Sequence, residues 1–104
     1  SLGGLIMDIN YELYKVFYYV ASTLSFSEAS KQLFISQSAV SQSIKALEKK
    51  LDQTLFIRST KKVRLTTEGE ILLRHIEPAI SLIKRGESQL LDVGARRTAS
   101  YRSQ

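Results

Sequence analysis

The apolar positions of this chain recur with a helical period over most of its length and switch to a strand period once. In residues 10–24, NYELYKVFYYVASTL, the groups Leu13, Val16, Phe17, Val20, Ala21 and Leu24 follow one another at steps of three and four. That spacing marks one face of an α-helix. SFSEASKQLF comes next, with Ser27 placed as N-cap, Glu28 suited to the positive helix end, and Ala29 and Leu33 able to face inward. Phe34 and Ile35 lead to a new cap at Ser36, so the connection to the following helix is only about three residues long. Two helices joined that tightly cross steeply, which is the helix-turn-helix arrangement. The usual turn glycine is absent. On the helix beginning near Gln37, Val40, Ile44, Leu47 and Leu51 form the buried stripe. Ser38, Ser41, Gln42, Lys45 and Lys49 fall on the opposite side, within an arc of roughly 100°.

The period changes at residue 54. Leu55-Phe56-Ile57-Arg58 and Lys62-Val63-Arg64-Leu65 flank the polar turn Ser59-Thr60-Lys61, the pattern of a β-hairpin with basic residues on one side and at its tip. A lone two-stranded hairpin is marginal, so this one must pack on the helices through Leu55, Phe56, Val63 or Leu65. A helix-turn-helix followed by such a hairpin is a winged helix. The last element is long. Thr66 or Thr67 caps it, and Thr67 with Glu70 has capping-box spacing. Leu72, Ile76, Ala79, Ile83, Gly86 and Leu90 then recur at alternating steps of four and three, flanked by Leu73 and Ile80. This is a heptad seam, suited to pairing with another helix. Leu72, Ile76, Ala79, Ile80, Ile83 and Leu90 are the expected dimer contacts. Pro78 predicts a kink near residues 74–78, or two helices with the second starting there.

The predicted architecture is therefore mainly α. A winged helix-turn-helix domain spans residues 7–66, and a linker or dimerisation helix spans 67–92. Residues 1–6 precede Met7, which reads as a native start, and are expected to be left over from cloning. Residues 93–104 lack periodicity and are expected to be disordered or vector-derived.

Composition narrows the function. A chain of 104 residues is enough for one domain, and a hydrophobic fraction of 43% argues against disorder. No apolar run approaches the ~18 residues of a membrane span, and the N-terminus lacks a signal-peptide pattern. Without cysteine there is no disulfide framework and no thiolate metal site, which fits a reducing cytoplasm. The net charge of +5 is concentrated: residues 45–64 hold seven cations against two carboxylates, and the rest of the chain is balanced. A local positive field is the footprint of a polyanion site. Catalysis finds little support. His75 is the only histidine, no zinc cluster or glycine-rich phosphate loop occurs, and Glu68 and Glu70 suit a helix start. No metal or cofactor is expected.

Nucleic-acid binding has positive support. A recognition helix enters the major groove nose first, and bulky groups at its tip would hold it away from the base edges. Gln can pair bidentately with adenine, and Ser can address several edges or a phosphate. Free backbone N–H groups at the first turn suit phosphate oxygens. Gln37, Ser38, Ser41 and Gln42 are thus the candidate reading residues. Lys45, with Arg58, Lys61, Lys62 and Arg64 on the wing, supplies sequence-independent attraction. Ser27 and Ser36, placed at helix starts, complete the candidate contacts.

The stretch resembles the N-terminal DNA-binding domain of LysR-type transcriptional regulators. The matching residues are Phe17, Val20 and Ala21; Ser25-Phe26-Ser27-Glu28-Ala29-Ser30; Leu33; Ile35-Ser36-Gln37-Ser38-Ala39-Val40-Ser41; and Ile44, Leu47 and Glu48. Leu55-Phe56-Ile57-Arg58, Val63-Arg64-Leu65-Thr66 and Gly69 complete the pattern, which covers roughly residues 7–92. The resemblance implies a winged helix, a linker helix pairing two subunits, and homotetramers of the full-length protein on pseudo-palindromic double-stranded DNA. It also implies DNA contacts at Gln37, Ser38, Ser41, Gln42 and Arg58. Three positions depart from the family pattern. Pro is common where Ser38 stands, Arg where Gln42 stands, and Gly where Asp52 stands. Gln42 should shift base preference away from guanine. Family members continue into an effector-binding domain of about 200 residues, which a chain this short cannot hold. The expectation is a DNA-binding fragment without its small-molecule sensor. The rival reading is a winged helix used for protein interaction, which would need no basic strip beside a Ser/Gln face. RNA binding is weaker, because no aromatic stacking residues sit among the basic groups of 45–64.

Overall fold

The computed structural model describes residues 11–103, with side chains through residue 98. The chain runs α1 (Tyr11–Thr23), α2 (Phe26–Leu33), α3 (Gln37–Leu51), β1 (Phe56–Arg58), β2 (Val63–Leu65) and α4 (Thr67–Ser103). The readings for residues 1–6 and Met7 lie outside the described residues.

The three short helices pack on one another around Phe17, Val20, Ala29, Val40 and Leu47, all fully buried or nearly so. Burying a side chain of the size of Phe17 or Leu47 contributes about 1.5–3 kcal/mol. The stripe expected on α3 is the one that is buried, except that Leu51 at its end is half covered. On α1 the inward face stops one step earlier than its spacing suggested. Leu24 lies beyond the helix end with φ 52° and is 46% exposed. Tyr14 and Tyr19 pack against the core, and Tyr18 meets Tyr19 edge-on at 5.8 Å.

The helix ends are set by local polar chemistry. Ser25, not Ser27, caps α2: its hydroxyl accepts the Glu28 N–H at 3.0 Å. Ser27 is left inside the first turn, where its carbonyl accepts the Ser30 hydroxyl at 2.7 Å. The sequence misplaced this cap because both serines have an acceptor side chain and only the backbone path distinguishes them. Ser36 caps α3 as expected, accepting the Ala39 N–H at 3.1 Å. Between the two helices Phe34 adopts the left-handed conformation, φ 58° and ψ 39°. It does what a glycine would have done. Its N–H and that of Ile35 bond back to Lys31 and Ser30 carbonyls at 3.3 and 3.2 Å, closing the helix. Asp52 closes α3 in the same way with φ 53°. The three-residue connection is therefore made without glycine.

The hairpin is antiparallel, pairing Phe56 with Leu65, Ile57 with Arg64 and Arg58 with Val63. It docks as expected through buried Leu55 and Phe56 and half-buried Val63 and Leu65. The Phe56 ring lies 5.4 Å from Phe17 and 6.0 Å from Phe26. At its root the Glu48 carboxylate accepts the Leu55 N–H at 2.7 Å and the Phe56 N–H at 3.4 Å.

Thr66 rather than Thr67 caps α4, accepting the Gly69 N–H at 3.0 Å while donating its hydroxyl to the Thr54 carbonyl at 2.6 Å. Of the alternatives for α4, division into two helices at Pro78 is not what the structure has, since Pro78 lies inside a single helix, and the segment from residue 93 through Ser103 continues that helix instead of being disordered. The heptad row also has two occupants. Leu72, Leu73 and Ile76 pack against the domain's own core, and Ile80 is 3% exposed within the single chain. Ile80 is thus covered within the single chain, while Leu72 and Ile76 are half-buried. α4 packs on α1, and Leu72, Leu73 and Ile76 are its side chains set against the core. Beyond Ile80 every side chain through residue 98 is exposed, Ile83 and Leu90 among them. None of the helices among the described residues is long and apolar enough to cross a membrane.

Candidate nucleic-acid interface

The α1–α2 junction, the tip of α3 and the wing enclose one open groove. Its walls are Leu24, Ser25, Phe26 and Ser27 on one side, Gln37 at the helix tip, and residues 58–63 of the hairpin on the other. Five of the candidate contacts therefore share one surface: Ser27, Gln37, Arg58, Lys61 and Lys62. Ser25 and Ser36 cap the starts of α2 and α3, and the rings of Phe17 and Phe26 packed against Phe56 hold the hairpin beside them.

Ser36, Ser38, Gln42 and Lys45 continue outward along α3 as exposed side chains, and Ser41 is half exposed. The hydroxyls of Ser36 and Ser38 stand 3.3 Å apart, so the capping side chain and a candidate reading side chain are coupled. Arg64 is placed differently. Its strand partner is Ile57, and both point away from the face that carries Phe56 and Arg58. Arg64 shares the outer side of the hairpin with Ile57, Ser59 and Lys62. It can contribute charge, but it does not line the groove.

Arg58 has a partner that the charge pattern did not reveal. Its guanidinium carbon sits 3.8 Å from the centre of the Phe26 ring. Ser59 and Thr60 also line the groove, although only the cations of that turn were singled out from the sequence. Ser59 holds the turn as well. Its N–H and hydroxyl donate to the Lys62 carbonyl at 2.9 and 3.1 Å, and its oxygen accepts the Lys62 N–H at 3.1 Å. Lys62 is thus an exposed cation on a closed turn. Lys62→Ala should weaken all duplexes alike and flatten the salt dependence of binding by about one unit of slope. A loss confined to one base position would contradict a phosphate role.

These features define a class: a winged helix-turn-helix with its recognition helix exposed and a basic wing beside it. The chain belongs to the LysR family of bacterial regulatory helix-turn-helix proteins, whose sequence profile matches residues 11–70. It carries the DNA-binding fold of that family of transcription regulators. Among curated relatives, the transcriptional regulator PerR of Escherichia coli (strain K12) is 42% identical over 74 residues, covering 71% of this chain and 25% of its own length. The regulator HdfR of Salmonella newport (strain SL254) is 46% identical over 66 residues, covering 64% of this chain and 24% of its own length. The chain thus spans about a quarter of the length of these relatives. Among solved structures, the BenM DNA-binding domain bound to catB site 1 DNA superposes with a TM-score of 0.74 at 25% identity, covering 82% of this chain and 94% of that one. The CbnR DNA-binding domain in its DNA complex gives 0.70 at 26% identity, covering 82% and 98%.

Proposed function

We propose that this chain binds double-stranded DNA in a sequence-dependent way as the DNA-binding part of a transcriptional regulator. The tip of α3 enters the major groove, and the wing lies along the neighbouring backbone. The observation that carries this is the placement of Gln37 at an exposed helix tip, facing a groove whose far wall holds Arg58, Lys61 and Lys62. Short hydrogen-bonding groups lead and cations flank, the order that groove entry requires. The solved BenM and CbnR domains of like fold are complexes with DNA. Gln37, Ser38, Ser41 and Gln42 read bases. Ser27, Ser36, Lys45, Arg58, Lys61 and Lys62 hold the backbone, with Arg64 adding charge from the outer face of the wing. This is a binding role and not catalysis, and it is exercised in the cytoplasm.

Two copies act together. The distal part of α4 carries Ile83 and Leu90 exposed on the continuation of its packed stripe, and a helix with an uncovered apolar row gains by pairing. A homodimer places two recognition helices on a pseudo-palindromic site, and two such dimers form the tetramer of a full-length protein. The alternative use, protein interaction without DNA, gives no reason for cations opposite a Gln/Ser tip.

Titrating salt against duplex binding tests the core of the proposal. Affinity should fall steeply as salt rises, and a flat curve would count against DNA as the partner. Gln37→Ala should cut the discrimination between a selected site and its mutated versions by about 1–3 kcal/mol. An equal loss on every sequence would remove Gln37 from the reading set.

A further inference from the structure

The hairpin that carries Lys61 and Lys62 has three paired positions. A two-stranded sheet so short holds no fixed posture by itself. Its posture is set from outside, at both ends of β1. At the root, the Glu48 carboxylate of α3 ties down the Leu55 and Phe56 N–H groups. At the far end, the Arg58 guanidinium lies over Phe26, the first residue of α2, at 3.8 Å from the ring centre. That ring is itself immobilised, being 4% exposed and set edge-on to Phe56.

We propose that Arg58 is a positioning residue for the wing: the face of its guanidinium, stacked on Phe26, sets the angle between the hairpin tip and the recognition helix. A guanidinium carries its donors in the plane and none on its faces. Stacking therefore uses a part of the group that no phosphate needs. Arg58 is an exposed residue, so its N–H edge remains in solvent and available to an anion. One side chain thus fixes the wing and keeps its charge for the partner. Lysine at this position would retain the charge and lose the flat face. The stacking half of this proposal stands on the free protein alone; its consequence for affinity rests on the DNA-binding reading above.

The test has one arm for each half. In the free protein, the ring should shift the Arg58 side-chain protons upfield in NMR spectra. Phe26→Leu should abolish that shift and lower the heteronuclear NOE of Thr60 and Lys61. Arg58→Lys should lower the same NOE while leaving the melting temperature close to that of the parent. On duplex DNA, Arg58→Lys should preserve the salt slope but weaken binding about three- to tenfold, the scale of one cation–π contact with the order it imposes. Lys62→Ala should matter less in the Arg58→Lys background than in the parent, because a loose wing no longer presents Lys62 in register. Unshifted Arg58 protons in the parent, or unchanged wing order in Arg58→Lys, would overturn the proposal. Should Phe26→Leu not fold, Arg58→Lys and Arg58→Gln carry the order measurement from the surface. A parent protein with shifted Arg58 protons that binds no duplex would refute the DNA reading and leave the stacking role standing.

Discussion

Gly69→Ala should lower the stability of this domain by about 1–3 kcal/mol, even though the position is helical and alanine is the better helix former by about 1 kcal/mol. The two effects have opposite signs, and the structure decides between them. Gly69 is buried in the first turn of α4. A methyl group there would run into the Leu55 carbonyl oxygen and come within 2.8 Å of a Leu65 side-chain carbon. The obstacle is mainly backbone. Leu55 cannot retreat, because its N–H is held by Glu48 and its carbonyl accepts the Thr66 N–H at 3.0 Å. Relief must come from moving the start of α4 away from the root of the wing, which opens the Thr66 cap and the Leu55 packing together. For a domain of this size the melting temperature should fall by roughly 4–8 °C per kcal/mol. Thermal unfolding followed by circular dichroism checks the sign. A melting temperature equal to or above that of the parent would mean that helix propensity outweighs the close approach.

Gly69 also shows which parts of the fold and the site can be read from sequence. The helices were legible because their buried faces repeat at three and four, and the hairpin because two β-rich four-residue stretches flank a polar turn. The candidate reading surface of α3 was legible for the same reason: Val40, Ile44 and Leu47 face inward, so Ser38, Ser41 and Gln42 must face out. What was not legible depends on contacts between elements distant in the chain. Ser25 and Ser27 are equivalent as cap formers, and only the extended backbone at Ser25 selects it. Arg58 and Arg64 look alike as wing cations. Strand register puts one over Phe26 in the groove and the other on the outer face. The heptad row from Leu72 to Leu90 is a true apolar stripe, but periodicity carries no information about which surface covers which part. Leu72 and Ile76 pack against the chain's own core and the flanking Ile80 is buried, whereas Ala79 and the distal Ile83 and Leu90 are exposed.

That division moves the test of pairing away from the middle of the row. Ile76→Asp would place a carboxylate against the domain's own core, so loss of a dimer there would not be separable from unfolding. Leu90 is the discriminating position. It is 73% exposed and lies well beyond Ile80, the last buried residue among the described side chains of α4. Leu90→Asp should therefore leave the melting of the winged domain unchanged while converting a dimer to a monomer in sedimentation. The consequence for DNA should be large. Two linked recognition helices engage two half-sites as one event, and unlinking them forfeits an avidity of about 10²–10⁴-fold. Binding to a single half-site should be unaffected, since Gln37 and the wing lie on the winged domain, far along the chain from Leu90. An unchanged mass for Leu90→Asp would assign the exposed row to something other than a second copy. A matching loss on single half-sites would mean that α4 contributes to the groove directly.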